Sequence, residues 1–222
     1  YRQAVQIIVM LQREGTPVLP ADLPAARTAL DTDRLLFEMR FFLEHYVGSL
    51  LEKPLRGAES ALLEDWLVEL ATEVAGYPSV LCHRDFHSRN LMLPPPGRAA
   101  LGRLVILDFQ DARLGPRAYD LASLLEDPYV ELPDPLRAAM TARVLEGIAR
   151  TGRAAEFARE YAAVAAQRLL KAAGTFAGQA TRFGVDRYLT YIPRALARAR
   201  AMLARLPEHE ALLRAVERWE AR

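Results

Sequence analysis

The sequence "LCHRDFHSRN", residues 81–90, places two histidines, one aspartate, two arginines and one asparagine in ten positions, directly after Val80. So polar a run fits neither the two-residue alternation of a half-buried strand nor the 3.6-residue period of an amphipathic helix, and it reads as a loop. Loops that crowd titratable and amide side chains together are where binding and catalysis concentrate. The question is which chemistry uses His83, Asp85, His87 and Asn90 at this spacing.

The sequence on either side predicts the scaffold. Residues 2–13 read as an amphipathic helix with Val5, Ile8, Val9 and Leu11 inward, stopped by Gly15-Thr16-Pro17. Asp31 or Asp33 is placed to cap a second helix, in which Leu35, Leu36, Met39, Phe42, Leu43, Tyr46 and Val47 recur at helical spacing. Residues 58–75 predict a third helix, ended by Gly76-Tyr77-Pro78, and most of the chain after Pro135 predicts helix, at about 136–150, 154–173, 186–204 and 208–221. Between these lies "NLMLPPPGRAALGRLVILDF", residues 90–109, two short apolar runs around a Pro/Gly-rich turn. That pattern predicts a β-hairpin with a long loop. The expected fold is mainly α with one small β-hairpin, an α+β class, with no linker that splits residues 1–222.

The hairpin gives the loop its chemistry. Asp85 precedes it and Asp108 ends its second strand, in "LVILDFQD". If the chain turns at 94–102, Asn90 comes back beside Asp108. An amide oxygen and a carboxylate would then share one end of the hairpin, with a second carboxylate a few residues away. Such a hard-oxygen set suits Mg²⁺, which takes few protein ligands and completes its shell with water and phosphate oxygens. Asp85 is left to accept a proton from an attacking hydroxyl.

These residues carry a resemblance. "HRDFHSRN" fits the pattern His-x-Asp-x-x-x-x-Asn of phosphotransferases, and "LDFQD" fits the metal-binding Asp-Phe-Gly of kinases with Gln110 in place of glycine. His87, two residues after the aspartate, and "GPRAYDLASLL", residues 115–125, resemble the aminoglycoside phosphotransferase and choline kinase family more than protein kinases. Within that family the whole set is most similar to the bacterial anomeric kinases of N-acetylmuramate and N-acetylglucosamine. The motifs cover residues 80–127, and the flanking helices agree with the C-terminal lobe of this kinase-like fold.

The resemblance implies roles position by position. Asp85 corresponds to the catalytic base, and Asn90 and Asp108 to the Mg²⁺ ligands. His83 corresponds to a scaffold histidine under the metal strand, and Asp120 to an aspartate that hydrogen-bonds the catalytic loop. Catalytic loop and metal hairpin would then occupy 80–111, with a helical acceptor-binding region at about 134–222. The implied reaction is ATP- and Mg²⁺-dependent transfer to a hydroxyl of a small-molecule sugar, in cell-wall recycling in the cytoplasm. His87, Arg89 and Asp111 are candidate acceptor contacts. Each also has a plainer reading: packing for His87, an ion pair or solvent for Arg89, a turn start for Asp111.

The chain also departs from the family. Its twelve glycines form no Gly-x-Gly-x-x-Gly, and its two lysines, Lys53 and Lys171, follow no apolar strand. With the start at Tyr1 rather than Met, the expectation is that the N-terminal lobe is absent from this chain and is supplied by a longer parent protein. Other readings stand beside the sugar kinase. An aminoglycoside kinase of the same fold would need clustered carboxylates for a polycationic acceptor. A metal-dependent hydrolase would use His83, Asp85 and His87 as a zinc set. A non-catalytic kinase-like module would have lost its chemistry.

Composition narrows these choices. Hydrophobic residues make up 51% and charged residues 26%, which suits a packed core, and no run of 18 apolar residues predicts a membrane span. The first residues lack the features of a signal peptide. One cysteine, Cys82, excludes an intramolecular disulfide framework and fits a reducing compartment. The net charge of +1 gives no reason to expect nucleic acid, but it conceals an asymmetry. Residues 1–136 carry 13 Lys/Arg against 20 Asp/Glu, whereas 137–222 carry 16 against 8. A basic acceptor region favours a neutral or anionic sugar over a polycation.

Overall fold

The computed structural model describes residues 1–53, 55–93, 104–148 and 154–220. They form two compact units: Tyr1–Leu30 with Tyr77–Tyr161, and Asp31–Gly76 with Ala162–Arg222. No helix among the described residues is long and apolar enough to cross a membrane.

The first unit opens with α1 (Arg2–Met10), whose Ala4, Val5 and Ile8 are buried, and a π-type turn (Leu11–Gly15) continues it. A four-residue helix, α2 (Pro24–Arg27), follows. Two small antiparallel sheets come next. Strand β1 (Ser79–Cys82) pairs with β4 (Arg113–Pro116), with Ser79 opposite Pro116 and Cys82 opposite Arg113. Strand β2 (Leu91–Met92) pairs with β3 (Val105–Ile106), with Leu91 opposite Ile106. This second pair is the hairpin expected from the sequence; its turn at 94–102 lies outside the described residues. The other edge of β4 is covered by residues 28–30: Leu30 N donates to Leu114 O at 2.8 Å and Leu114 N to Thr28 O at 3.0 Å. Gly115 is needed there, because a Cβ would lie 2.7 Å from Leu30 Cδ1 and 3.4 Å from Cys82 Sγ.

Helix α5 (Tyr119–Leu125) is buried on every side, its polar Asp120 and Ser123 included. Next in this unit come α6 (Asp134–Ile148) and the first turns of α7 (Ala154–Phe183).

The second unit holds α3 (Thr32–Phe41), α4 (Gly57–Ala75), the rest of α7, α8 (Ile192–Leu203) and α9 (Glu210–Glu220). Asp31 caps α3, accepting from Arg34 N at 2.8 Å, which satisfies one orphan amide of the first turn. In α4 the buried Leu63, Leu67, Leu70 and Val74 follow helical spacing. Helix α7 runs ten residues past the expected end at 173. The glycines in "GTFAGQ" therefore permit close packing and do not stop the helix: a Cβ on Gly174 would lie 2.4 Å from Phe42 N. The expected helix at 186–204 is divided into a 3₁₀ segment (Asp186–Tyr191) and α8, because Pro193 suits a new first turn.

Candidate active site

The polar loop is fixed from below by a buried carboxylate. Asp120, on α5, is 1% exposed. Its Oδ2 accepts from His83 N at 2.7 Å and its Oδ1 from Arg84 N at 2.9 Å. Arg84 takes a left-handed backbone, φ 80°, which a non-glycine residue adopts at a cost of about 1–3 kcal/mol unless its surroundings hold it there. The Asp120 tether supplies that hold. So does the buried Arg84 side chain, whose Nη1 meets Asp111 Oδ2 at 3.2 Å. Asp111 is also 3.6 Å from Arg113 Nη2. The ion pair Arg84–Asp111 thus joins the loop carrying Asp85 to the segment that follows Asp108.

Beyond Arg84 the chain turns tightly. Asp85 O accepts from His87 N at 3.0 Å and from Asn90 Nδ2 at 2.9 Å, and His87 O accepts from Asn90 N at 3.0 Å. The second bond to Asp85 O orients the Asn90 amide, and the hairpin does the rest. Leu107 N donates to Asn90 O at 2.9 Å, and Asn90 Nδ2 lies 3.3 Å from Asp108 Oδ2. Asp108 is itself left-handed, φ 69°, at the start of the 3₁₀ turn Phe109–Asp111. Gln110 Nε2 donates to Asp108 Oδ1, a contact that glycine at this position could not make. The structure thus brings Asp85, Asn90 and Asp108 together at one end of the hairpin. The amide nitrogen of Asn90 is used by Asp85 O and Asp108, which leaves its carbonyl oxygen with the Asp108 carboxylate as hard-oxygen donors. That donor set fits Mg²⁺.

The remaining expected residues fall close by. His83 is buried with its ring edge-on to Phe86, centroids 5.5 Å apart, and neither ring nitrogen has a hydrogen-bond partner among the described residues. His87 is half-buried and packs edge-on to Tyr129 at 5.6 Å. Arg89 is exposed, and its guanidinium carbon lies 3.7 Å above the Tyr129 ring centroid. Cys82 is buried, its Sγ 3.4 Å from Pro116 O.

The zinc set required by the hydrolase reading does not form. Among the described residues the group of three His, Cys, Asp or Glu with converging ligand atoms is Glu73, Glu208 and His209, in the second unit. There His209 Nε2 and Glu73 Oε2 already lie within hydrogen-bond distance, 2.7 Å apart.

Sequence reasoning missed a second ring of buried acids. Asp127 is 3% exposed, accepting from Ser88 N at 2.9 Å and Tyr129 N at 2.8 Å. Glu126 is 3.3 Å from Arg137 Nε, and its Oε1 accepts from Tyr161 OH at 2.7 Å. Glu160 is fully buried and accepts from Arg117 Nη2 at 2.7 Å and Ala118 N at 2.9 Å, so it braces the start of α5. Burial pushes the Glu160 carboxyl above its usual range, against the opposing pull of Arg117 and the backbone amides. A signal was available in "LLEDPY", where two acids end an apolar helix: such acids are almost never buried without partners.

The model of the phosphotransferase enzyme family (APH) matches residues 1–161. The N-acetylmuramate/N-acetylglucosamine kinase of Neisseria meningitidis serogroup B is 35% identical over 214 residues, 93% of this chain and 59% of the relative. The protein of the same name from Pseudomonas putida is 32% identical over 219 residues, 94% of this chain and 59% of the relative. The chain thus spans 59% of the length of either curated relative. Among solved structures, an ethanolamine kinase from Plasmodium vivax superposes with a TM-score of 0.58 at 16% identity, covering 95% of this chain and 60% of that one, a likeness of fold. The family match takes in the loop, the hairpin and α5 together, and the chain belongs to the phosphotransferase enzyme family.

Proposed function

We propose that this chain carries the base and metal-binding half of a sugar kinase that transfers the γ-phosphoryl group of ATP to a hydroxyl of an amino sugar, N-acetylmuramate or N-acetylglucosamine. The observation that carries the reading is the Asn90 side chain, bonded to the backbone carbonyl of Asp85 on one side and beside the Asp108 carboxylate on the other. In this proposal Asp85 orients the acceptor hydroxyl and takes its proton as the oxygen bonds to phosphorus. The bond from phosphorus to the bridging oxygen breaks, and ADP leaves with that oxygen. Asn90 and Asp108 would hold Mg²⁺, which neutralises charge on the phosphate oxygens. Asp120 and His83 keep the loop in register, the first by hydrogen bonds and the second by packing. Positioning and electrostatics supply most of the catalysis in such transfers, so a small, rigid set of residues is adequate.

The proposal extends to the rest of the protein. A nucleotide-covering lobe, expected from the sequence, would complete the site. Met92, Leu93, Val105, Leu107 and Phe109 on and beside the hairpin are all exposed, Phe109 by 71%, and offer apolar surface for it and for the nucleotide base. The helical region at about 134–222, with its basic balance, is assigned to the acceptor side. A role in cell-wall recycling in the cytoplasm, where ATP and the reduced Cys82 belong, follows from the same reading. The test is ADP release by the full-length protein with each sugar and with a panel of aminoglycosides. Turnover with the amino sugars is expected. Turnover confined to aminoglycosides would replace the acceptor, and none with any acceptor would remove the kinase reading.

A further inference from the structure

Asp127, Tyr129 and Arg89 form an arrangement beside the base that the reaction above does not use. Asp127 Oδ2 accepts from Ser88 N and its Oδ1 from Tyr129 N, so one buried carboxylate holds the start of the Ser88–Asn90 turn and the backbone of Tyr129 together. Tyr129 in turn carries two residues of the loop, His87 against its ring at 5.6 Å and Arg89 over its face at 3.7 Å. Successive side chains of a 3₁₀ turn point about 120° apart. Asn90 faces Asp108, and Arg89, its neighbour, is directed instead onto Tyr129.

We propose that Arg89, presented on Tyr129 by the Asp127 clamp, is an acceptor-specificity residue that binds a carboxylate on the sugar. This rests on the sugar-kinase reading of the same site. Three features support it. Stacking engages the face of a guanidinium, whereas carboxylates bind to its in-plane N–H groups, so the two contacts are compatible. An arginine already ordered by stacking and by a clamped backbone loses less freedom when it binds a ligand. Arg89 is also exposed and lies in the loop between Asp85 and Asn90, one residue before the Asn90 side chain that meets Asp108. Of the two sugars in the relatives' names, N-acetylmuramate bears a lactyl carboxylate and N-acetylglucosamine does not. Asp127 is a positioning residue in this scheme: it acts only through Tyr129 and the turn.

The experiment is steady-state kinetics of the full-length protein with both sugars, for wild type, Arg89→Gln, Arg89→Lys and Asp127→Asn, each checked for folding by its thermal melt. Arg89→Gln is expected to lower the ratio of kcat/KM for N-acetylmuramate over N-acetylglucosamine by at least about tenfold, through KM, equivalent to loss of one charged hydrogen bond. Arg89→Lys is expected to fall between, keeping the charge but losing the planar fork. Asp127→Asn is expected to lower the same ratio, which a purely structural role would leave unmoved. If wild type uses both sugars and Arg89→Gln leaves the ratio unchanged, the inference is wrong and the kinase reading stands. If Arg89→Gln lowers both sugars equally and raises KM for ATP, the guanidinium binds the phosphate chain, and the inference is overturned. Turnover of neither sugar by wild type would remove the reading and the inference together.

Discussion

Replacing Asp120 by alanine probes the loop at its anchor. The substitution removes two charge-assisted hydrogen bonds, to His83 N and Arg84 N, at a position 1% exposed to solvent. Each bond to a charged acceptor contributes about 1.5–3 kcal/mol, and a buried amide left without a partner costs about 1–3 kcal/mol. These ranges describe overlapping effects, so the loss is about 3–5 kcal/mol in total. Arg84, freed at its amide, can then leave φ 80°, which returns about 1 kcal/mol of backbone strain. A net loss of about 2–4 kcal/mol lies below the total stability of most domains, so the variant folds. In a chain of 222 residues it lowers Tm by about 4–16 °C, at about 2–4 °C per kcal/mol. The assay is thermal denaturation followed by circular dichroism, with hydrogen exchange read at the amides of residues 83 and 84. Exchange at those two amides should accelerate more than exchange within α4. A melt unchanged within a degree, or protection retained at both amides, would refute the tether. Unfolding of the entire chain would show that Asp120 holds the core instead.

Other consequences follow from the proposed reaction and from the packing. In the full-length protein Asp85→Asn should reduce turnover about 10²–10⁴-fold, with ATP affinity within a few-fold of wild type, as expected for a base that holds no metal. Asp108→Asn should weaken ATP binding and turnover together, since it removes a charge from the metal set; nucleotide binding by calorimetry separates the two variants. Glu160 gives a pH dependence. Burial raises its folded-state pKa above the ordinary value of about 4.5, so the folded chain holds the proton more tightly, and the associated stability is lost as pH rises above about 4.5. The Tm of wild type minus that of Glu160→Gln should therefore fall as pH rises above about 4.5; a difference that grows with rising pH would contradict the burial argument. Gly174→Ala places a Cβ 2.4 Å from Phe42 N and should cost at least about 1–3 kcal/mol, measured by urea denaturation.

What could be read from the sequence was local. Asp31 as a cap, the α4 stripe of Leu63, Leu67, Leu70 and Val74, and the β2–β3 pair each follow from periodicity or turn chemistry within a few residues. The long-range pairing of β1 with β4 was not legible. Each strand has four residues, β4 is "RLGP", and nothing in so short a run identifies a partner more than thirty positions away. The same holds for Asp127 and Glu160. Their bonds to Ser88 and Arg117 cross about forty residues, and only burial distinguishes them from surface acids. Gly174 falls just past the expected helix end at 173, yet the helix continues through it to Phe183. Glycine stops a helix when its backbone turns left-handed, but it also allows another backbone to approach, and single-sequence reading does not separate these uses. Asp111 illustrates an ambiguity that the structure narrows: it begins no isolated turn but pairs with Arg84 and Arg113.

The account stands most directly on phosphoryl transfer at Asp85. The measurement is product identification by mass spectrometry after the full-length protein is incubated with Mg²⁺, ATP and N-acetylmuramate or N-acetylglucosamine, with Asp85→Asn in parallel. The account predicts a sugar monophosphate formed in step with ADP by wild type, and at least about a hundredfold less by the variant. A variant as active as wild type, or a wild type that releases ADP without phosphorylating the sugar, would contradict it.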